Sequence, residues 1–417
     1  MFKTALLTIG DEICIGQTVN TNAAEIAQEL IKKGTRIITH SVIEDDKEMM
    51  LAELKRLTNI ADLVITTGGL GPTHDDITKD VLTEFFRDEQ IWNEDVLKSV
   101  EETFKSRGIK LTERNRLQAR VPSKAKIFIN EVGTAPGMLF IHGDSSIFSI
   151  PGVPAEMRYF LDNHLAPFVD SQIRQRNEEA LIYKNLHVAG IFESSLADLI
   201  GEPQSLKEGC SLAYLPSYKG IRLRLGAYGA DKEEAQKKLE NLKNEIYEKA
   251  GKYVYGEDDE SLASVCGKML RDRGLTLSVA ESCTGGLLGG ELTEIAGSSD
   301  YFRGGAISYS NDAKVKSIKV KQETLDKYGA VSEETALEMA HGVREAFDTD
   351  IGISITGIAG PGGGTDEKPV GLVYIAIADK QGAKAWKNLF GKSRQPNRER
   401  SVGQALTLLY KKMINDK

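Results

Sequence analysis

The heptapeptide Ala280-Glu281-Ser282-Cys283-Thr284-Gly285-Gly286 sets a serine and a cysteine side by side between two secondary-structure signals. The apolar run at 275–279 predicts a buried strand, and residues 287–292 open a helix. A strand that turns into a helix presents a nucleophile at the carboxyl edge of a sheet. It also aims backbone N–H groups at an anion or an oxyanion. The two glycines let a ligand approach the backbone closely. On residue types alone three readings stay open: attack by Ser282, attack by Cys283, or a helix cap at Ser282 or Thr284.

Two more loops of the same half follow apolar strands. A strand over 306–309 runs into Ser310 and Asn311, then into a helix from Asp312 that carries Lys314 and Lys316. The strand at 351–355 runs into Thr356, Gly357 and a glycine-rich loop to Gly364, and residues 372–378 form the next strand. Arg394 and Arg398 precede the last helix. Amide hydrolysis needs a nucleophile, a base and oxyanion donors. No histidine is placed to serve as base, since His341 lies in a helical stretch. By spacing alone Lys314 reads as an exposed helix lysine. It acts as a base only if burial or nearby cations depress its pKa.

The N-terminal half predicts strands at 4–9, 36–42 and 63–67 and helices at 23–33 and 47–58. Solidly apolar strands alternating with helices imply a parallel sheet covered on both faces, with ligands beyond the strands' carboxyl ends. Two polar loops fall at that edge. One carries Asp11. The other, TTGGLGPTHDD at 66–76, offers Gly68, Gly69 and Gly71 as a backbone surface for phosphate, followed by Thr73, Asp75 and Asp76, with Asp80 one helical turn on. Hard carboxylate oxygens beside a phosphate cradle suit a divalent cation of unspecified identity bridging to a pyrophosphate. The alternative is a glycine turn with an aspartate cap.

A chain of 417 residues holds two or three domains, and a net charge of -8 argues against a bulk electrostatic grip on nucleic acid. Cys14, Cys210, Cys266 and Cys283 lie far apart, so neither a disulfide framework nor a zinc site is expected. Residues 1–9 read as a strand and not as a signal peptide or membrane anchor, which makes a cytoplasmic location the expectation. Residues 171–255 form a separate stretch with strands at 185–188 and 222–228 and helices at 194–200 and 231–251. The acidic run 257–260 reads as an exposed linker.

The strings TTGGLGPTHDD, EVGTAPG (131–137) and IPGVPAEM (150–157) resemble the N-terminal domain of the CinA family, which shares the molybdopterin-binding fold. AESCTGG, the AGSS segment, SYSNDAKVK and TGIAGPGGG resemble the C-terminal CinA domain, which is similar to nicotinamide-nucleotide amidohydrolase. The resemblance implies an α/β fold class in three parts. These are a molybdopterin-binding-like doubly wound sheet over 1–170, a KH-like α+β module over 171–255, and an α/β amidohydrolase domain over 256–417. In the module, Gly190-Ile191-Phe192-Glu193 occupies the place of the phosphate-clamping GxxG loop, with a glutamate for the second glycine. That favours a spacer and dimerisation element over RNA binding.

The resemblance further implies hydrolysis of nicotinamide mononucleotide to nicotinate mononucleotide and ammonia without a cofactor, and metal-dependent cleavage of ADP-ribose at its pyrophosphate by the N-terminal domain. Ser282 matches the family nucleophile, and Tyr309 and Lys314 match its catalytic positions. The turn geometry would make the N–H groups of Cys283 and Thr284 the oxyanion donors. Gly285, Asn311, Thr356 and Gly357 are expected to bind substrate, and one of Arg394 or Arg398 to hold its phosphate. The partners implied are small nucleotides and a second copy of the chain, with neither nucleic acid nor membrane. The rival reading is a non-catalytic pterin- or nucleotide-binding module linked to competence or DNA damage.

Overall fold

Three short strands open the chain, β1 (Lys3–Ile9), β2 (Arg36–Ile43) and β3 (Leu63–Thr67). All of β3 and all of β1 but Lys3 are buried, and a strand with no solvent face needs cover on both sides. Helices Thr21–Lys32 and Lys47–Thr58 supply it. Each is capped by the side chain before it, Asn20 accepting from Ala23 N at 3.2 Å and Asp46 from Met49 N at 2.8 Å. Leu6 and Leu63 pack with Ile26 and Leu30 of the first helix, while Leu7 and Val64 pack with Met50 and Leu54 of the second. Successive strand residues thus feed opposite cores.

Strands β4 (Gln90–Trp92) and β5 (Arg120–Pro122) make a small antiparallel ribbon. Strands β6 (Lys126–Phe128), β7 (Gly137–His142) and β8 (Ser145–Ile150) complete a six-stranded sheet in the order β2-β1-β3-β8-β7-β6. The expected parallel sheet is in fact mixed. Strands β1, β2, β3 and β8 run parallel, whereas β7 alone is reversed and pairs antiparallel with both β8 and β6, because the two-residue turn at Gly143 (φ 59°) and Asp144 returns β7 into β8 without a crossover.

Strands β9 (Ala180–Val188), β10 (Cys210–Ser217), β11 (Gly220–Gly229) and β12 (Val254–Glu257) form a four-stranded sheet in the order β10-β11-β9-β12. Neither β10 nor β12 is expected from the sequence. The acidic run is exposed at 258–260, as expected, but it is not a free linker. Asp258 Oδ1 accepts from Asn185 N at 3.0 Å, and Lys184 Nζ meets Glu257 at 2.7 Å and Asp258 at 2.9 Å, which ties the run to β9.

The last sheet has the order β14-β13-β15-β16-β17, from β13 (Leu277–Glu281), β14 (Phe302–Ile307), β15 (Ile351–Gly357), β16 (Leu372–Asp379) and β17 (Gly382–Leu389). Strand β13 runs parallel to both neighbours, and β16 and β17 are antiparallel additions. One face packs Leu277, Val279, Ile353 and Ile355 against helices Leu262–Asp272 and Arg394–Asn415. The other packs Ala280 against Ile318, Met339 and Val343 of helices Asn311–Ile318 and Glu333–Ala346.

This computed structural model describes residues 1–176 and 179–415, which gather into two compact units, 1–183 with 226–239 and 184–225 with 240–417. Among the described residues no helix is long and apolar enough to cross a membrane.

Candidate active site

Strand β13 runs two residues past its apolar run, through Ala280 and Glu281. There the backbone pairs Glu281 with Ile307 and Ile355 of the two neighbouring strands, and the start of the next helix holds the Glu281 carboxylate. It is buried, and it accepts the backbone N–H groups of Gly286 and Leu288 at 3.1 Å each and of Gly289 at 2.8 Å. Those are among the orphan donors at the start of helix Leu287–Thr293, so the helix terminus expected to receive an anion is closed from within. Gly285 (φ 61°) and Gly286 (φ 97°) fold the chain back in the left-handed region, where a side chain is strained. Gly286 occupies the cap position, which removes the reading of Ser282 or Thr284 as a helix cap.

The turn separates its two nucleophile candidates. Cys283 joins the hydrophobic core, and burial pushes its thiol up to about 11. Ser282 instead meets Lys314, whose Nζ lies 3.1 Å from Ser282 Oγ. Lys314 is only 1% exposed, and burial pulls its ammonium down to about 8. The exposed-lysine reading therefore applies to Lys316, which pairs with Asp312 at 2.9 Å in solvent, and not to Lys314. Lys314 shares the inner face of helix Asn311–Ile318 with Ile318, four residues on.

The amine's partners define what it can do. Besides Ser282 it donates to the carbonyl oxygens of Ser308 at 2.8 Å and Tyr309 at 3.3 Å. A neutral amine has two N–H donors and one lone pair. With both donors held by the two carbonyls, the lone pair is left for the Ser282 hydroxyl proton.

Other expected residues need correction. Tyr309 meets Lys314 through its carbonyl alone. Its ring is 59% exposed and its hydroxyl accepts from Arg394 Nη2 at 3.3 Å, so of the two side chains expected beside Ser282 the structure brings Lys314 to it and points the Tyr309 hydroxyl to Arg394. The Thr356 hydroxyl donates to Ala330 O at 2.7 Å and is not free to donate to a carboxamide. Asn311 lies exposed at the first turn of its helix, and Gly357 ends β15. Arg394 and Arg398 sit inside helix Arg394–Asn415 and not before it. Arg394 Nη1 donates to Gly360 O at 3.0 Å, while Arg398 Nη2 reaches the nucleophile turn itself, at Thr284 O, 2.8 Å away. Arg398 Nε has no partner among the described residues. The backbone N–H groups of Cys283 and Thr284 likewise meet no backbone acceptor there, as oxyanion donors require. Glu281 escaped sequence reasoning because an acid at a strand end reads as a solvated turn.

The N-terminal loops surround a cavity of about 490 Å³. Gly68, Gly69, Gly71, Asp75 and Asp76 line it as expected. The Asp76 carboxylate closes its own loop, accepting both the N–H and the hydroxyl of Thr73. Asp80 lies outside the lining, its Oδ1 taking Gln90 Nε2 at 2.6 Å. Asp11 is also outside, its carboxylate accepting from Asp45 N at 3.1 Å and its own N–H donating to Asp45 Oδ2 at 3.3 Å. No group of three or more histidine, cysteine, aspartate or glutamate residues among the described residues is placed to hold a metal, and Asp80 stands apart from Asp75 and Asp76 at the cavity. Sequence reasoning missed Glu12, Asp45, Gln118 and Glu156 in the lining. Burial raises the Asp45 carboxyl, and Asp11, Glu12 and Asp75 add repulsion. Gln118 is 3% exposed, with an Nε2 that no described residue satisfies.

Comparison with known proteins follows the same division. The CinA C-terminal domain family matches residues 259–413, the family described as "Probable molybdopterin binding domain" matches 5–171, and the CinA KH domain family matches 183–256. A relative from Halothermothrix orenii, provisionally named competence-damage inducible protein, is 40% identical over 407 residues, covering 97% of both chains. The chain belongs to the CinA family. A CinA-like protein from Flavobacterium psychrophilum is 41% identical over 427 residues, 99% of each chain. Among solved structures, a competence/damage inducible protein from Agrobacterium tumefaciens is 45% identical, covering 36% of this chain and 91% of its own, with a TM-score of 0.35. CinA from Thermoplasma acidophilum is 32% identical, covering 40% and 97%, with a TM-score of 0.37. CinA membership with a molybdopterin-binding-type domain is consistent with an enzyme and supports a nucleotide-related hydrolase or binding role.

Proposed function

We propose that the C-terminal site hydrolyses the carboxamide of nicotinamide mononucleotide to give nicotinate mononucleotide and ammonia. The observation that carries this reading is the buried Lys314 amine 3.1 Å from Ser282 Oγ, with its pKa pulled down to about 8. Ser282 Oγ attacks the carboxamide carbon while its proton passes to the Lys314 lone pair. The oxyanion is met by the N–H groups of Cys283 and Thr284. Lys314 returns the proton to the departing nitrogen, ammonia leaves, and an ester to Ser282 remains. Water then attacks that ester with Lys314 again as base, freeing the carboxylate and Ser282. Arg398 has an unpartnered Nε beside the turn and is the better placed of the two arginines to hold the ribotide phosphate. The test is ammonia release from nicotinamide mononucleotide by the purified full-length protein in the presence of a chelator. Ligand binding without turnover would favour the non-catalytic reading.

For the N-terminal cavity a second reading, metal-dependent cleavage of ADP-ribose, has its own observation. The lining holds five carboxylates, Glu12, Asp45, Asp75, Asp76 and Glu156, and no lysine or arginine. An anionic pyrophosphate enters such a lining only with a cation. Magnesium ordinarily binds through one or two carboxylates plus substrate phosphates, so a three-ligand protein cage is not required. Asp45 and Asp75 are the residues that would hold it. Bound there, it would neutralise charge on the pyrophosphate. Following ADP-ribose for conversion to AMP, with and without a divalent cation, tests this reading.

A further inference from the structure

The hairpin joining β10 to β11 ends in Tyr218 and Lys219, and this tip meets both helices that carry the Ser282 turn and its arginine. Lys219 Nζ pairs with Glu291 Oε2 at 2.8 Å, on the helix whose start Glu281 holds. The Arg400 guanidinium lies over the Tyr218 ring, 5.1 Å from its centroid, two residues beyond Arg398 on the long helix. Three residues further, Gly403 brings the backbones together. A Cβ there would stand 2.9 Å from Lys219 Cα and 3.3 Å from Tyr218 O, so only glycine permits the approach. The loop in which a KH fold clamps phosphate is covered by the same helix, since a Cβ on Gly190 would lie 2.5 Å from Lys411 Nζ.

We propose that the Tyr218–Lys219 tip is a positioning element for the deamidation site. It holds helix Leu287–Thr293 against helix Arg394–Asn415 and so keeps Arg398 on the Thr284 carbonyl, beside Ser282. The inference rests on the deamidase reading of that site. The helices share a hydrophobic core, Leu288 and Leu292 with Val402 and Leu406, and two polar connections bridge them at its edge: the tip through Glu291 and Arg400, and Arg398 through Thr284 O at 2.8 Å. If the tip lets go, non-directional apolar packing and the Arg398 contact are left to set their relation. A shift of about 1 Å in a substrate-holding group is enough to cost binding and rate. The KH-like module on this account serves catalysis from outside the pocket, through a polar contact that can be reversed in charge.

The test uses the full-length protein. Lys219→Glu sets like charges opposite each other and should raise KM for nicotinamide mononucleotide about fivefold, with kcat changed less than twofold. The double variant Lys219→Glu with Glu291→Lys restores the pair and should bring KM back to within about twofold of the parent. Amide hydrogen exchange over residues 281–289 should quicken about fivefold in Lys219→Glu and recover in the double variant. Gly403→Ala, acting by collision and not by charge, should move both quantities in the same direction. Unchanged KM and exchange in Lys219→Glu and Gly403→Ala, or a loss that the charge swap does not repair, would overturn the proposal. If the parent protein releases no ammonia, the deamidase reading fails on its own. The exchange measurement then still decides whether the tip orders the turn.

Discussion

Lys314 Nζ stands 3.1 Å from Ser282 Oγ, although 32 residues separate them and a charged lysine is ordinarily among the most exposed of side chains. Parallel pairing of β13 with β14 brings the two together. It sets the end of one strand beside the chain that leads into helix Asn311–Ile318, and Ser308 N donates to Glu281 O at 2.8 Å. Burial then lowers the pKa of the amine, and the Ser308 and Tyr309 carbonyls each accept from it.

Ser282, and not Cys283, is expected to attack. Ser282→Ala should lose on the order of 1,000-fold in kcat/KM. Cys283→Ala should stay within about tenfold, because its thiol is in the core and the oxyanion contact proposed for it is a backbone N–H that the change preserves. An active Ser282→Ala beside a dead Cys283→Ala, in steady-state ammonia assays, would reverse the assignment.

The Lys314 pKa predicts a pH profile. Only the neutral amine accepts a proton, so kcat/KM should climb about tenfold per pH unit below its pKa and level off above about 8. The stability effect has a fixed sign. The native pKa is depressed below the ordinary 10.5, so the native state sheds this proton first. The full cost of burying the charge applies below about 8, and it is relieved as pH rises from about 8 toward 10.5. Lys314→Ala should flatten the profile together with the rate. A pH-rate curve whose rising limb persists in that variant would assign the limb to another group.

Glu281→Gln exchanges one acceptor oxygen for an amide donor in a pocket made of N–H groups. It should cost about 1–3 kcal/mol of stability, read as a lower denaturant midpoint. An unshifted midpoint would mean that the helix start is held by something else.

Arg398→Ala should raise KM for nicotinamide mononucleotide by about 10- to 100-fold, the range for a lost charged hydrogen bond, while Arg394→Ala should act less. The riboside, which lacks the phosphate, supplies the control, since its KM should be indifferent to Arg398→Ala. Equal losses for nucleotide and riboside would place Arg398 on the turn alone.

In the N-terminal cavity ADP-ribose should bind at least about tenfold more tightly when a divalent cation is present, measured by titration calorimetry. The five carboxylates of the lining repel an unaccompanied pyrophosphate. Equal affinity with and without the cation would remove the metal reading.

What the sequence determined by itself is whatever depends on neighbours in the chain. The bounds read for β3 and for helix Lys47–Thr58 both agree with the structure residue for residue. The strand-turn-helix around Ser282, the glycines of the 68–71 loop and the family itself were legible for the same reason, since backbone conformation and motif are local. Tertiary structure decided what depends on surroundings. It buried Lys314 and left Lys316 in water, sent Cys283 into the core, and gave Asp80 to Gln90. It also turned Gln118 into a cavity whose need for an acceptor nothing in the pattern RNRLQAR announces. Desolvation, which turns a lysine into a base and leaves an amide unsatisfied, is set by atoms far away in sequence, and residue spacing carries no record of them.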